Sequence, residues 1–511
     1  MEIFLKNNII IGDLIYDFIN DNIIIKDNYK LARFVITNKL EDIKYSKEYL
    51  IINEQYNLEN FNLILNTIDN YYIYQRIIPH IISYDIFDTL LARKCIFPEI
   101  IFDIIAFKMN IINFKQLRQK AEQLSNGTFD DIYLKLENIS GFSYELIQQL
   151  KQTELDVELE NIFPIIENKI QVRPQDIFIS DMYLPKEAIN KLLIKSGFSG
   201  LNKIYVSPYG KKTGIIWNQI SENITYHIGD NYNSDILNAF MWGNKRGIHY
   251  TDSINLTNTE KMLLKWGLFE LAQLIKYIRL SNDYLEEPYK SLYTEQVNKN
   301  ISILILYSFY INQICIEKNI NKILFTTRDC CLLSKIFNKL FPQYEQITFN
   351  SSRIIYENPS EDYINYVKSI YTDNSIIVDL QGSGKSIFNF FEKYINIKPN
   401  VVYLILFTLE YDFTHVIYNR KGDNLENINY DIKGTLIDYI GTEEIRDKVE
   451  YDIKFIIPSH KAIDNCCNNI NIFNIPIITN LDILKDYLDV LTSQLMEDLL
   501  VNKFAIHKVF H

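Results

Sequence analysis

Glycine and proline are scarce, 16 and 12 in 511 residues, and histidine (7), cysteine (6) and tryptophan (3) are scarcer still. That excludes a collagen-like or Pro/Gly-rich disordered chain, and 47% hydrophobic with 23% charged residues is a globular composition. The six cysteines (Cys95, Cys315, Cys330, Cys331, Cys466, Cys467) show no CxxC spacing. Neither a disulfide framework nor a zinc site is expected, and a reducing, cytoplasmic location is the simpler reading. Basic residues are outnumbered, 52 against 64 acidic, for a net charge of -12. That sign repels nucleic acid and anionic membrane, so neither is expected as a partner, and an anionic substrate needs a local cation or a metal. No run of about 18 uncharged apolar residues occurs, and the start MEIFLKNNIIIGDLIYDF lacks a basic region followed by a clean apolar stretch. Neither membrane spanning nor export is expected.

At about 150 residues per domain the length predicts roughly three domains. Residues 1–78 carry no motif. From 79 to 253 apolar strand-like runs alternate with helical stretches: IIPHIISYDIFDTLL, then Asp176–Ile179, Lys203–Val206 and Thr225–Ile228, with helical periodicity over about 96–172. Residues 254–320 read as a helical connector. Residues 321–511 hold further strand candidates at Lys322–Phe325, Ile376–Val378 and Val401–Phe407, and a terminal amphipathic helix over Leu481–Val501. Alternating strands and helices predict an α/β protein with parallel sheets and with reactive groups at the strands' C-terminal ends.

Four short motifs follow in order: Tyr84-Asp85-Ile86-Phe87-Asp88-Thr89-Leu90; IFISD, ending in Ser180 and Asp181; Lys211-Lys212-Thr213-Gly214; and Ile228-Gly229-Asp230 through to Asp235. A carboxylate can attack phosphorus only if its own charge and that of the phosphate are neutralised, which takes a metal, a lysine and neutral donors. Together the four resemble the haloacid dehalogenase superfamily over about residues 79–250.

The resemblance implies a Rossmannoid core with a helical cap over about 96–172 and Mg²⁺-dependent hydrolysis of a small phosphorylated substrate. Asp85 would be nucleophile and metal ligand, with the Phe87 carbonyl, Asp230 and Asp235 completing the metal site. Thr89, Ser180, Asp181 and Lys212 would bind phosphate, Lys212 fitting the lysine motif better than Lys211. Where the family's phosphatases carry a second Asp, this chain has Phe87, and Asp88 one residue on is the candidate replacement acid. Within the cap, Arg118, Glu122, Asp130 and Asp131 either line the cleft or, on the simpler reading, lie on solvated helix faces. His80, His227 and His249, without metal-ligand spacing, read as structural. The segments SYDIFDTLLAR, FKQLRQKAE, TFDDIY, ISDMYLP and GKKTG are similar to HAD-like proteins encoded among bacterial surface-polysaccharide and glycosyltransferase genes.

Later in the chain, ILFTTRDCCLL and IIVDLQGSGKSIFNFF each run from a strand into a helix. A Walker A loop needs glycine where Asp379 stands, which excludes an ATPase P-loop. The segment more closely resembles a type I phosphoribosyltransferase loop, with Leu380 and Thr327-Arg328-Asp329 departing from that pattern. Arg328, Asp329, Asp379, Gly382, Ser383, Gly384, Lys385 and Ser386 form a second candidate site, with Arg353 as an added cation. The C-terminal half is therefore expected to be Rossmann-like or phosphoribosyltransferase-like. Three functions stay open: hydrolysis at Asp85, a module that binds a phosphorylated or nucleotide-sugar ligand without turnover, or a bifunctional protein.

Overall fold

The computed structural model describes residues 81–506 apart from 223, 244, 421–423, 450 and 497–498, and before them four short strands, Leu14–Asp17, Asn22–Ile25, Phe34–Ile36 and Leu50–Ile52. The expected boundary at residues 78 and 79, and His80, lie outside the described residues.

The chain is α/β, with two five-stranded parallel sheets. The first contains β1 (Ile81–Tyr84), β2 (Ile177–Ser180), β3 (Lys203–Val206), β4 (Ile224–Gly229) and β5 (Arg246–His249), in the order β5-β4-β1-β2-β3. All four pairings are parallel. Strands buried on both faces read as continuous apolar runs, which is why β2 (IFIS, every residue buried) was legible in the sequence. The edge strand β5 (RGIH) is mostly exposed and carries no such run, so the sequence pattern missed it. From β1 the chain builds outward to β2 and β3, then returns to add β4 and β5 on the other side. The order therefore reverses between β1 and β4, which opens a crevice at their C-terminal ends.

Between β1 and β2 stand four helices: α1 (Ile100–Met109), α2 (Phe114–Leu124), α3 (Phe129–Ser140) and α4 (Tyr144–Asn161). The insertion leaves and re-enters through a two-stranded antiparallel stem, Leu91–Arg93 with Ile162–Pro164. Thr128 and Ser143 cap α3 and α4 by accepting from Asp131 N and Leu146 N. Arg118 is not on a solvated face as the sequence suggested. It is fully buried, bonded twice to Glu154 at 2.9 Å and once to Glu122 at 3.0 Å, with Tyr183 and Phe102 rings 4.8 and 4.9 Å from its guanidinium carbon. The delocalised, weakly hydrated guanidinium, with donors for both carboxylates, suits that burial. Asp130 remains exposed, and Asp131 accepts from Asn126 N in the turn before α3.

The second sheet contains β6 (Lys322–Thr326), β7 (Glu345–Phe349), β8 (Ser375–Gly382), β9 (Val401–Leu406) and β10 (Thr414–Tyr418), in the doubly wound order β7-β6-β8-β9-β10. The outer strands β7 and β10, both with partly exposed faces, were not foreseen. Residues 254–320 are mostly helical, as the sequence pattern suggested, and they pack into the core. The long helix α5 (Tyr289–Lys318) is buried through its middle, where Ile303, Leu306, Phe309 and Ile311 share one core with Phe325, Val378 and Leu404 of the sheet. Tyr307 Oη donates to the carbonyls of Asp379 and Val402, tying α5 to β8 and β9. This helix is long and apolar enough to cross a membrane, but 83% of its most apolar window is covered by protein. The terminal helix α6 runs Leu481–Ser493, shorter than the sequence pattern suggested.

Candidate functional site

Asp85 follows β1 directly, and its amide donates to the Ile228 carbonyl of β4 at 2.8 Å, so it stands where the strand order reverses. Asp230 follows β4, and Asp235 lies in the turn after it. Oxygens of these three carboxylates come within 4.8 Å of one another. Lys211 neutralises the group: its Nζ lies 2.6 Å from Asp85 Oδ1 and also contacts Asp235 Oδ1, and only 2% of its side chain is exposed. Asp235 is completely buried. Its Oδ1 also meets His227 Nε2 at 3.1 Å, and its Oδ2 accepts from Asn231 N at 2.9 Å. His227 in turn meets the Ser83 hydroxyl at 2.9 Å through Nδ1, so the ring links β1, β4 and the Asp235 turn. Gly229 is required here by close approach, since a Cβ would lie 2.2 Å from Asp235 Cγ.

Burial and the neighbouring carboxylates act in different proportions on the three acids. Asp85 is held well above the usual carboxylate range: burial is the largest cause, Lys211 opposes it, and Asp235 and Asp230 add to it. Asp230 is pushed up to about 6 by burial, then by the charges of Asp88 and Asp235. Asp235 goes the other way: burial would raise it, but Lys211 and His227 outweigh burial and hold it low. Burial likewise works against the Lys211 cation, and Asp85 and Asp235 more than restore it. A cluster of oxygen ligands in which two acids are held above their ordinary range is one that a hard divalent cation relieves. Asp85 and Asp230 have the freer oxygens, whereas both oxygens of Asp235 are taken by protein donors, so Asp235 positions Lys211 more than it offers itself to a metal.

Two expected roles are corrected. The lysine brought to Asp85 is Lys211, and Lys212 is exposed. Successive residues in a short helical turn point about 100° apart, so only one of an adjacent pair can face the crevice. Asp181, expected to bind phosphate, has both oxygens engaged by the backbone. It accepts from the amides of Lys211 (2.6 Å) and Lys212 (3.1 Å), fixing the turn that aims Lys211 inward.

Ser180 is buried at the end of β2, and the Thr89 hydroxyl lies 3.4 Å from Asp230 Oδ1. Asp88 adopts a left-handed backbone (φ 56), its amide donating to the Leu91 carbonyl and its carbonyl accepting from the Ser253 hydroxyl. Its charge bears on Asp230 and on the buried Lys276. Phe87 turns its ring toward Arg93, whose guanidinium carbon lies 4.7 Å from the ring centroid. Arg93 is itself bonded twice to Glu158 of α4. Arg93, Phe102, Glu122, Glu158, Tyr183 and Tyr209 line a cleft of about 590 Å³ between the helical insertion and the loops that follow β2 and β3. Neither Arg93 nor His227 was singled out as functional by sequence reasoning, and the signal for His227 is its place on β4 two residues before the Gly-Asp step.

The second candidate cluster also converges. Arg328, Asp329, Asp379, Gly382, Ser383, Gly384, Lys385 and Ser386 all line one cavity of about 470 Å³ at the C-terminal ends of β6 and β8, joined by Ser351, Ser352 and Arg353 after β7. Gly384 has φ 75, and a Cβ there would lie 2.2 Å from Phe413, so this glycine is also demanded by packing.

The chain matches no protein-family model and no curated protein.

Proposed function

We propose that the unit built on the first sheet is a Mg²⁺-dependent phosphoryl-transfer centre of the haloacid dehalogenase type, hydrolysing a small phosphomonoester such as a sugar phosphate or nucleotide. The observation that carries this reading is the placement of Asp85 at the reversal point of the sheet with Lys211 Nζ 2.6 Å from its oxygen, beside Asp230. Mg²⁺ held by Asp85, Asp230 and the Phe87 carbonyl would neutralise charge on the phosphate and the attacking carboxylate.

In this scheme an Asp85 oxygen attacks phosphorus, and the bond from phosphorus to the leaving oxygen breaks. Water then cleaves the acyl phosphate, releasing phosphate and restoring the carboxylate. Lys211 holds negative charge as it shifts from Asp85 to the transferring oxygens, and the Ser180 hydroxyl donates to one of them. The four-helix insertion serves as a cap, and its cleft with the sheet loops selects the substrate.

The leaving oxygen needs a proton when it departs as an alkoxide, and Phe87 cannot supply one. Asp88 is the nearest acid in sequence, and its charge already reaches Asp230. A second reading is favoured by Phe87 alone: a module that binds a phosphorylated ligand without turning it over.

Mg²⁺-dependent phosphate release separates these readings, measured on an aryl phosphate and on alkyl sugar phosphates and nucleotides. Wild type is compared with Asp85→Asn, Lys211→Met and Asp88→Asn. Loss in Asp85→Asn and Lys211→Met on every substrate is expected, with Asp88→Asn losing about 10²- to 10⁴-fold on alkyl phosphates only. Binding without release from any substrate would favour the second reading.

A further inference from the structure

A second group of metal-ligand side chains stands apart from the Asp85 site. Ligand atoms of Cys331, Asp431 and His460, a sulfur, a carboxylate oxygen and a ring nitrogen, lie within 4.8 Å of one another. They come from three separate elements, which is why cysteine spacing did not predict zinc. Cys331 opens the helix Cys331–Leu340 that follows β6, Asp431 lies after the short helix Asn424–Asn427, and His460 is on the helix Ile457–Asn469. The two longer helices are joined beside the group. Leu332, Ile336, Ala462 and Ile463 belong to one core, and Lys335 pairs with Asp464 at 2.7 Å.

Each of the three side chains keeps a ligand atom that the protein engages weakly or not at all. His460 Nε2 lies 2.8 Å from the Tyr430 carbonyl. A carbonyl only accepts, so Nε2 carries the ring proton and Nδ1 keeps its lone pair, and a ring held in this way by the backbone is the common support of a metal-bound histidine. Asp431 is buried. Its Oδ1 accepts from the Ile432 amide at 2.7 Å, and its Oδ2 has no partner among the described residues. The Cys331 thiol reaches the Asn429 carbonyl at 3.7 Å, and a thiol is a weak donor, so little is lost when it becomes a thiolate ligand. A thiolate, a carboxylate and a neutral imidazole carry two negative charges, which one divalent cation balances.

The donor types select the cation. Sulfur and imidazole disfavour Mg²⁺ and Ca²⁺, which take oxygen, and a carboxylate disfavours Cu(I). Zinc accepts all three at about 2.0–2.3 Å, and its tetrahedral geometry sets ligand atoms about 3.3–3.5 Å apart. Closing the group from 4.8 Å takes a shift of about 1.5 Å at most, within reach of side-chain rotation.

We propose that Cys331, Asp431 and His460 bind a zinc ion, with water in the fourth position. The Tyr430 carbonyl that orients His460 belongs to the residue whose ring lies 5.8 Å from the Arg328 guanidinium carbon, and the Cys331 amide donates to the Arg328 carbonyl at 3.3 Å. The ion therefore ties the loop after β6 to the helix Ile457–Asn469, and it is independent of any activity at Asp85.

The test is cobalt substitution in the full chain, stripped of metal with a chelator and kept under argon. Co²⁺ bound through Cys331 gives a thiolate-to-metal charge-transfer band in the near ultraviolet, which the all-oxygen Asp85 site cannot give. The band is expected in the wild type, is discharged by Zn²⁺, and is unchanged in Asp85→Asn. Cys331→Ser abolishes it, and His460→Gln and Asp431→Asn each weaken Zn²⁺ binding about tenfold or more, read by competition with a chromophoric chelator. Circular dichroism and thermal unfolding establish that each variant is folded, and His460→Gln, at a half-buried position, carries the test if Cys331→Ser does not fold. Absence of the band in the wild type overturns the proposal, as does a band that survives in folded Cys331→Ser or a Zn²⁺ affinity unchanged in folded His460→Gln. A band lost in Cys467→Ser also overturns it, placing the metal on the neighbouring surface that Cys467 shares with Asp464.

Discussion

Replacing Lys211 by methionine tests the geometry of the first site without assuming any activity. Methionine keeps the length and apolar stem of lysine but removes the cation lying between Asp85 and Asp235. Breaking a buried ion pair by removing one partner costs about 3–5 kcal/mol, because the charges left behind stay buried. For a unit of this size about 2–4 °C of melting temperature is lost per kcal/mol, so a fall of about 6–20 °C is expected. The assay is thermal unfolding by tryptophan fluorescence in a Trp266→Phe background. The other two tryptophans, Trp217 and Trp242, both belong to the unit around the first sheet, and Trp217 packs against His227.

The pH dependence gives a second readout. In the wild type, Lys211 and His227 hold Asp235 below its ordinary range despite its burial. Its contribution is therefore present above the unfolded carboxylate value and lost as pH falls. Asp85 and Asp230 are held high already in the wild type; without Lys211, burial and mutual repulsion raise Asp235 as well, so the folded variant takes up more protons than the wild type as pH falls and its deficit shrinks toward the ordinary carboxylate range. Lys212→Met, at an exposed position, stays within about 0.5 kcal/mol of wild type. Equal losses from the two substitutions, or a Lys211→Met deficit that does not change with pH, would refute the assignment.

Three further outcomes are expected. Arg118→Met alone costs about 3–5 kcal/mol by stranding the buried Glu154, whereas Arg118→Met with Glu154→Leu recovers most of it, as thermal unfolding of the three proteins will show. Adding Mg²⁺ raises the melting temperature of the first unit by mass action, and Asp230→Asn abolishes the rise; an undiminished rise in that variant would place the metal elsewhere. Gly384→Ala costs about 1–3 kcal/mol more than Gly441→Ala in denaturant unfolding. Both glycines have positive φ, but a Cβ at Gly384 meets Phe413 while one at Gly441 meets nothing within 4 Å.

What could be read from the sequence follows from which interactions are local. Central strands such as β2 and β9 are buried on both faces and declare themselves as apolar runs; of the edges, β3 keeps a short apolar run and was legible, whereas β5, β7 and β10 were not. Asp85, Ser180 and Asp230 were legible because each ends a recognisable strand, and strand ends are where a parallel sheet presents its side chains. The choice between Lys211 and Lys212 was not, since it depends on which face of one turn the amide bonds from Asp181 hold toward the crevice. Arg118 was misread because helical periodicity gives the face of a residue but not whether another helix covers that face with a carboxylate such as Glu154. Cys331, Asp431 and His460 show the same limit: their ligand atoms lie within 4.8 Å of one another, although no spacing along the chain announces it. The two crevices show the converse. Both could be anticipated in kind from alternating strands and helices, because an open parallel sheet with helices on both faces reverses its order somewhere. The charges that gather at each reversal point, such as the carboxylates that Lys211 pairs in the first, are the part that only tertiary packing decides.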